Sequence, residues 1–135
     1  MTDTAAAEPD ADIVELSVPA DPAYVSVLRT VTASLAARRD FTIDEIDDLR
    51  IAVDEASALL LPHTTAGQVL RASFRGTEDS LVVDVSIAAA DGTAKPDQTS
   101  FSWMVLAALA DAVDTSADGG RLTLTLTKTR AARSA

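Results

Sequence analysis

The side chains with chemistry to offer gather in one stretch, Asp54-Glu55-Ala56-Ser57, with His63 six residues past the serine. A hydroxyl, an imidazole and a carboxylate are the parts of a nucleophilic triad. The flanks do not support one, because no strained, glycine-flanked turn surrounds Ser57. Two carboxylates could act as paired acid and base, but adjacent residues on a helix point in different directions, so Asp54 and Glu55 are not such a pair. His63 is the single histidine and follows Pro62. It reads as a loop residue beside the last carbonyls of a helix. One histidine and no cysteine leave no ligand set for zinc, no disulfide and no thiol nucleophile, so no metal site is expected. With no intact catalytic, metal or phosphate motif, the chain reads as one that binds another protein.

The elements that position these residues follow from hydrophobic period. A chain of 135 residues, 47% of them hydrophobic, fits one domain with one core. Residues 1–12 are acidic and Ala-rich and predict a disordered tail, residues 13–129 the domain, and residues 130–135 a short basic tail. Neither a signal peptide nor a membrane span is present, so the expected location is the cytoplasm. The formal net charge of −10 repels phosphate backbones, and direct nucleic-acid binding is not expected. Solubility alone is a sufficient reason for that charge.

Alternation predicts strands at Ile13 to Val18, at Leu70-Ala72-Phe74, at Leu81-Val83-Val85-Ile87 and at Leu122-Leu124-Leu126. The turn from Gly76 to Asp79 joins the second and third as a hairpin. Asp21 caps a first helix with Pro22 at its first position and a stripe of Tyr24, Val27, Leu28, Val31 and Leu35. Thr42 and Glu45 form a capping box for a second helix, striped by Ile43, Ile46, Leu49, Val53, Ala56 and Leu60 and stopped by Pro62. A polar loop from Ala90 to Gln98 precedes a third helix over Ser100 to Val113, with Phe101, Val105, Leu106, Leu109 and Val113 as its stripe. Asp118-Gly119-Gly120 turns into the last strand. The strands show one apolar and one polar face. The order β-α-α-β-β-α-β therefore predicts a two-layer α/β (α+β) sandwich. Its sheet is mixed and mostly antiparallel, with three helices on one face and solvent on the other.

Two segments carry a resemblance: Asp48-Leu49-Arg50-Ile51-Ala52-Val53-Asp54-Glu55-Ala56, and Phe101 through Val113. The first resembles the first nucleotide-binding helix of the GHKL ATPases, and more closely the anti-sigma-factor serine kinases of the RsbW/SpoIIAB type. The second resembles that family's last helix, especially in actinobacterial anti-sigma F proteins of the UsfX kind. The resemblance implies a glutamate base, an asparagine four residues on that ligates magnesium, and often a histidine four beyond. Here these positions hold Glu55, Leu59 and His63, and leucine offers no oxygen to a hard cation.

It also implies an Asp-x-Gly-x-Gly motif that binds adenine. Ala89 stands at the aspartate in an ungapped reading. A shift of two residues offers Asp91, with Gly92 one place early, and the same pair is a turn signal. Thr99-Ser100-Phe101-Ser102-Trp103 lacks the glycines that would cradle phosphates, and the loop before it is short for an ATP lid. ATP or ADP with magnesium is thus the cofactor implied by the resemblance, through motifs that are largely degraded.

For partners, the resemblance implies a sigma factor, a STAS-type anti-anti-sigma factor and a homodimer, with the first helix at interfaces. Arg29 falls at a family contact position, or is an ordinary exposed arginine, and Arg38 and Arg39 could share its surface. Phe101 and Trp103 read as core, or as exposed anchors of an interaction face. Three functions follow: an anti-sigma factor, an active serine/threonine kinase acting on an anti-anti-sigma factor, and a regulatory domain whose partner is not a sigma factor.

Overall fold

In the computed structural model, residues 12–65, 67–90 and 93–131 are described. The strands are β1 (Ile13–Pro19), β2 (Val69–Gly76), β3 (Ser80–Ala88), β4 (Ala112–Asp118) and β5 (Arg121–Thr129). The helices are α1 (Val25–Arg38), α2 (Ile43–Leu60) and α3 (Phe101–Leu109). The strands form one sheet in the order β1-β2-β3-β5-β4. Every pairing is antiparallel. That corrects the expectation of a mixed sheet.

Register turns alternation into layers. Leu70, Ile87 and Leu122 stand in one row across β2, β3 and β5. Ala72, Val85 and Leu124 form the next row, and Phe74, Val83 and Leu126 the third. All nine are buried. Above them α2 contributes Leu49, Ala52, Val53, Ala56 and Leu60, all fully buried. The alanines let the helix backbone approach the sheet. Each such leucine is worth about 1.5–3 kcal/mol of burial. Leu28 and Ala36 of α1 and Leu106 of α3 complete the core.

Helix ends behave as their residues dictate. Asp21 accepts the amide of Ala23 at the head of a 3₁₀ turn, Pro22–Tyr24, that leads into α1. Thr42 and Glu45 form the complete capping box of α2. After α1, Asp40 adopts φ 63° and the Phe41 amide returns to the Ala36 carbonyl, an αL stop that places Phe41 in the core. α2 passes at Pro62 into a second 3₁₀ turn, Leu61–His63. None of the helices among the described residues is long and apolar enough to cross a membrane.

The third helix and the last strands differ from expectation. α3 ends at Leu109, and residues 112–118 are a strand, β4, rather than the end of a helix. Asp114, Thr115 and Ser116 gave that segment no apolar alternation. Its conformation comes from pairing with β5 through a tight turn in which Gly119 and Gly120 both have positive φ, at 59° and 74°. Four expected core residues are also outside. Tyr24, Val27, Ile43 and Phe101 are exposed, because Val25, Leu28 and Thr32 set the buried face of α1, and Leu106 that of α3. The expected N-terminal tail lies outside the described residues except for Asp12, as do residues 132–135.

One contact fixes how α1 meets the β2–β3 hairpin. The Arg39 guanidinium donates to the Thr77 carbonyl. It lies over Gly76, where a Cβ would run into it. Arg130 then donates to the Arg39 carbonyl at 2.8 Å. Gly76→Ala and Arg39→Ala are each expected to cost about 1–2 kcal/mol in urea unfolding, through loss of the same charge-assisted bond. Because Gly76→Ala acts by displacing Arg39, the double variant should cost little more than Arg39→Ala alone.

Candidate functional site

Glu55 and Leu59 are one turn apart on α2, so both lie on the flank that meets α3. The Glu55 carboxylate is half-buried and has no hydrogen-bond or ion-pair partner among the described residues. Leu59 packs against the core. His63 is exposed at the end of the 3₁₀ turn and makes no hydrogen bond to the last carbonyls of α2, contrary to expectation. The Leu61 amide donates to the Ser57 carbonyl instead. Ser57 is fully buried with its Oγ unpartnered. With Ser57 inside and His63 outside, no triad assembles.

Among the described residues, the other family positions do not fit a magnesium nucleotide. Asp91 and Gly92 lie outside the described residues. Ala89, at the ungapped aspartate position, is a half-buried methyl whose amide bonds the Gly120 carbonyl at 2.8 Å. At the head of α3 the Ser100 hydroxyl takes the Trp103 amide at 3.2 Å. Asp97 takes the amide and hydroxyl of Thr99 at 2.8 and 2.6 Å. Those two bonds hold its carboxyl below the ordinary range. A phosphate here would meet a carboxylate and an amide already capped, where the family has glycines. With Leu59 at the metal position, no step through a bound nucleotide is supported.

Arg29 is better placed. Its Nε donates to both carboxylate oxygens of Asp54 at 3.0 and 3.1 Å, tying α1 to α2. Both side chains are about 37% exposed, so the pair is held without being hidden. It borders a groove of about 590 Å³ whose other walls include Pro22, Val25, Ala58, Leu61 and Pro62. The structure does not bring Arg38 and Arg39 to this surface. Arg38 lies nine residues on, about half a turn out of phase, and is exposed. Arg39 is committed to the hairpin.

Three features were missed in the sequence. Spacing along the chain marks Asp54 only as a neighbour of Glu55, and its pairing with a residue 25 positions away shows only in the packing. Lys128, on the apolar side of β5, donates to Asp48 at 3.2 Å and to the Leu109 carbonyl at 2.9 Å, so one cation clamps α2, α3 and the sheet. Met104, 61% exposed, joins Phe101, 78% exposed, on the outward side of α3. Phe101 is thus an exposed group and not a core one, while Trp103 is half-buried against the core.

A family model described as histidine kinase-like ATPase domain matches residues 18–128. The anti-sigma-F factor RsbW of Mycobacterium tuberculosis is 38% identical over 128 residues, covering 90% of this chain and 76% of its own length. The serine-protein kinase RsbW of Bacillus subtilis is 44% identical over 54 residues, which is 40% of this chain and 34% of that protein. The solved RsbU and RsbW domains of a Mycobacterium tuberculosis protein match with a TM-score of 0.65 at 17% identity, over 88% of this chain and 32% of that one, a likeness of fold. The chain belongs to the histidine kinase-like ATPase domain family and, within it, to the RsbW type.

Proposed function

We propose that this chain is an anti-sigma factor. It holds an alternative sigma factor away from RNA polymerase, and an anti-anti-sigma partner of the STAS type releases it. The observation that carries this reading is the 38% identity to an anti-sigma-F factor along 90% of the chain. The Arg29–Asp54 pair beside an apolar groove supports it, because an arginine already oriented by a carboxylate loses little entropy on meeting a partner.

Control rests in partner affinities rather than in phosphorylation, since Leu59 leaves the metal position without an oxygen ligand. A homodimer forms through the outer flank of α1 and the free edge of β1, where Tyr24, Val27, Ile13 and Val14 are large apolar groups left exposed. Such a protein works in the cytoplasm, where sigma factors meet polymerase. Its net charge of −10 argues against direct contact with nucleic acid.

The purified chain is to be titrated with each alternative sigma factor of its own genome by calorimetry. One is expected to bind, and Arg29→Ala should weaken it at least ~10-fold, about 1.4 kcal/mol. The same variant should change unfolding stability by less than about 1 kcal/mol, as fits a half-exposed ion pair. Binding by none of them removes the anti-sigma assignment in favour of a different protein partner, and binding indifferent to Arg29→Ala removes Arg29 from the interface. Titration with ATP and magnesium tests the kinase alternative. No tight magnesium-dependent binding is expected, and Glu55→Ala should leave sigma binding unchanged. Phosphate transfer to an anti-anti-sigma factor, abolished by Glu55→Ala, would restore the kinase reading.

A further inference from the structure

The face of the sheet away from the helices is polar, and register places its groups. Arg71 on β2 stands directly opposite Ser17 on β1 and Ser86 on β3. Ser86 stands opposite Thr123 on β5. Arg121 is two residues from Thr123 along that strand, so it projects from the same face. Its Nη1 donates to the Ser86 hydroxyl at 2.9 Å. Two guanidinium groups thus flank one serine from the strands on either side of it.

Neither arginine is neutralised. The ion pairs among the described residues are formed by Arg29, Arg50 and Lys128. The acids closest in register are Glu15, two residues from Ser17 on β1, Asp84, two residues from Ser86, and Asp118, opposite Arg121 on β4. None of the three forms an ion pair with Arg71 or Arg121 among the described residues, and Asp84 is instead held by the Thr125 hydroxyl at 2.5 Å. Burial and the nearby Arg71 charge both push the Arg121 guanidinium below its ordinary value. In a chain with 21 acids and 11 bases, two adjacent cations outside any ion pair among the described residues are unexpected on composition alone. The framework of paired strands holds them together against their repulsion.

We propose that Arg71 and Arg121, with the hydroxyls of Ser17, Ser86 and Thr123, form an oxyanion site on the open face of the sheet that takes a phosphate group. Each guanidinium presents a planar fork of N–H donors matched to two oxygens of a tetrahedral anion. The hydroxyls serve the remaining oxygens. A hollow of about 400 Å³ lies over Ser17, Arg71, Ser73 and Ser86, and Arg121, outside its lining, reaches its rim through the Ser86 hydroxyl. Glu15 and Asp84 bound it on one side. Their charges admit a single compact phosphate and repel an extended polyanion. The site lies on the opposite side of the sheet from the Arg29 groove and stands independently of the anti-sigma reading.

The test uses the full chain in phosphate-free buffer, titrated with inorganic phosphate, O-phosphoserine and acetate and followed by amide NMR shifts and thermal unfolding. Phosphate is expected to shift the Ser86 and Arg121 signals and to raise the unfolding temperature. The Arg71→Gln/Arg121→Gln double variant should lose at least ~10-fold in affinity, while Arg75→Gln, on the same strand and face, stays within about 2-fold. Without phosphate the double variant should be no less stable than the parent, since it sheds a repulsion. Tighter binding of O-phosphoserine than of inorganic phosphate would mean the group arrives on a larger molecule, and the reverse a free ion. Both support the site. Equal binding of acetate, an equal loss in Arg75→Gln, or phosphate shifts that persist in the double variant would overturn it.

Discussion

Leu70, Ile87 and Leu122 stand side by side across three strands, and two further rows of buried side chains repeat the arrangement below them. A surface this apolar is stable only under cover, and α2 supplies most of that cover. Leu49, Val53 and Leu60 fill the space above the rows, and Ala52 and Ala56 set the distance of approach. Once that face of α2 is committed, the directions of its other residues follow from helical geometry. Asp54 turns toward α1 and meets Arg29. Glu55 and Leu59 turn toward α3. The positions on which function rests are therefore consequences of how one helix covers one sheet.

The seam between α2 and α3 is where the family's plan and this chain part. Leu59 packs against the core there, and Lys128 closes the lower end by binding Asp48 and the last carbonyl of α3. An asparagine at the same point would offer an oxygen to magnesium and would forgo apolar packing. The head of α3 is likewise satisfied by its own residues, with Ser100 and Asp97 taking the amides that a phosphate would need. The physical trade is consistent along the seam: groups that would bind nucleotide are replaced by groups that stabilise the fold. The Arg29–Asp54 pair proposed for partner contact is not subject to this trade, because it lies between α1 and the other flank of α2.

Much of the fold is legible in the sequence. Strict alternation marks β2, β3 and β5, the Thr42–Glu45 box marks the start of α2, and Asp118-Gly119-Gly120 marks the turn into β5. β4 is not legible, because an edge strand held by one neighbour needs no apolar period of its own, and Asp114-Thr115-Ser116 shows none. Exposure of Phe101 is not legible either. On a helix that is apolar nearly all round, period cannot choose which side faces the core, and the choice falls to Leu106 once α3 lies beside α2.

Local chemistry along the chain determined which functions are excluded: no thiol, a single imidazole and a leucine at Leu59 are facts of composition and spacing. It also determined the layered architecture, since caps, turns and alternation act over a few residues. The pairings between distant residues were decided only by tertiary structure. Arg29 meets Asp54, Arg39 meets Thr77, and Arg71 and Arg121 flank Ser86 because helix packing and strand register bring together positions that lie 15 to 50 residues apart along the chain. Such contacts leave no periodic mark, because their energy depends on where whole elements come to rest against one another.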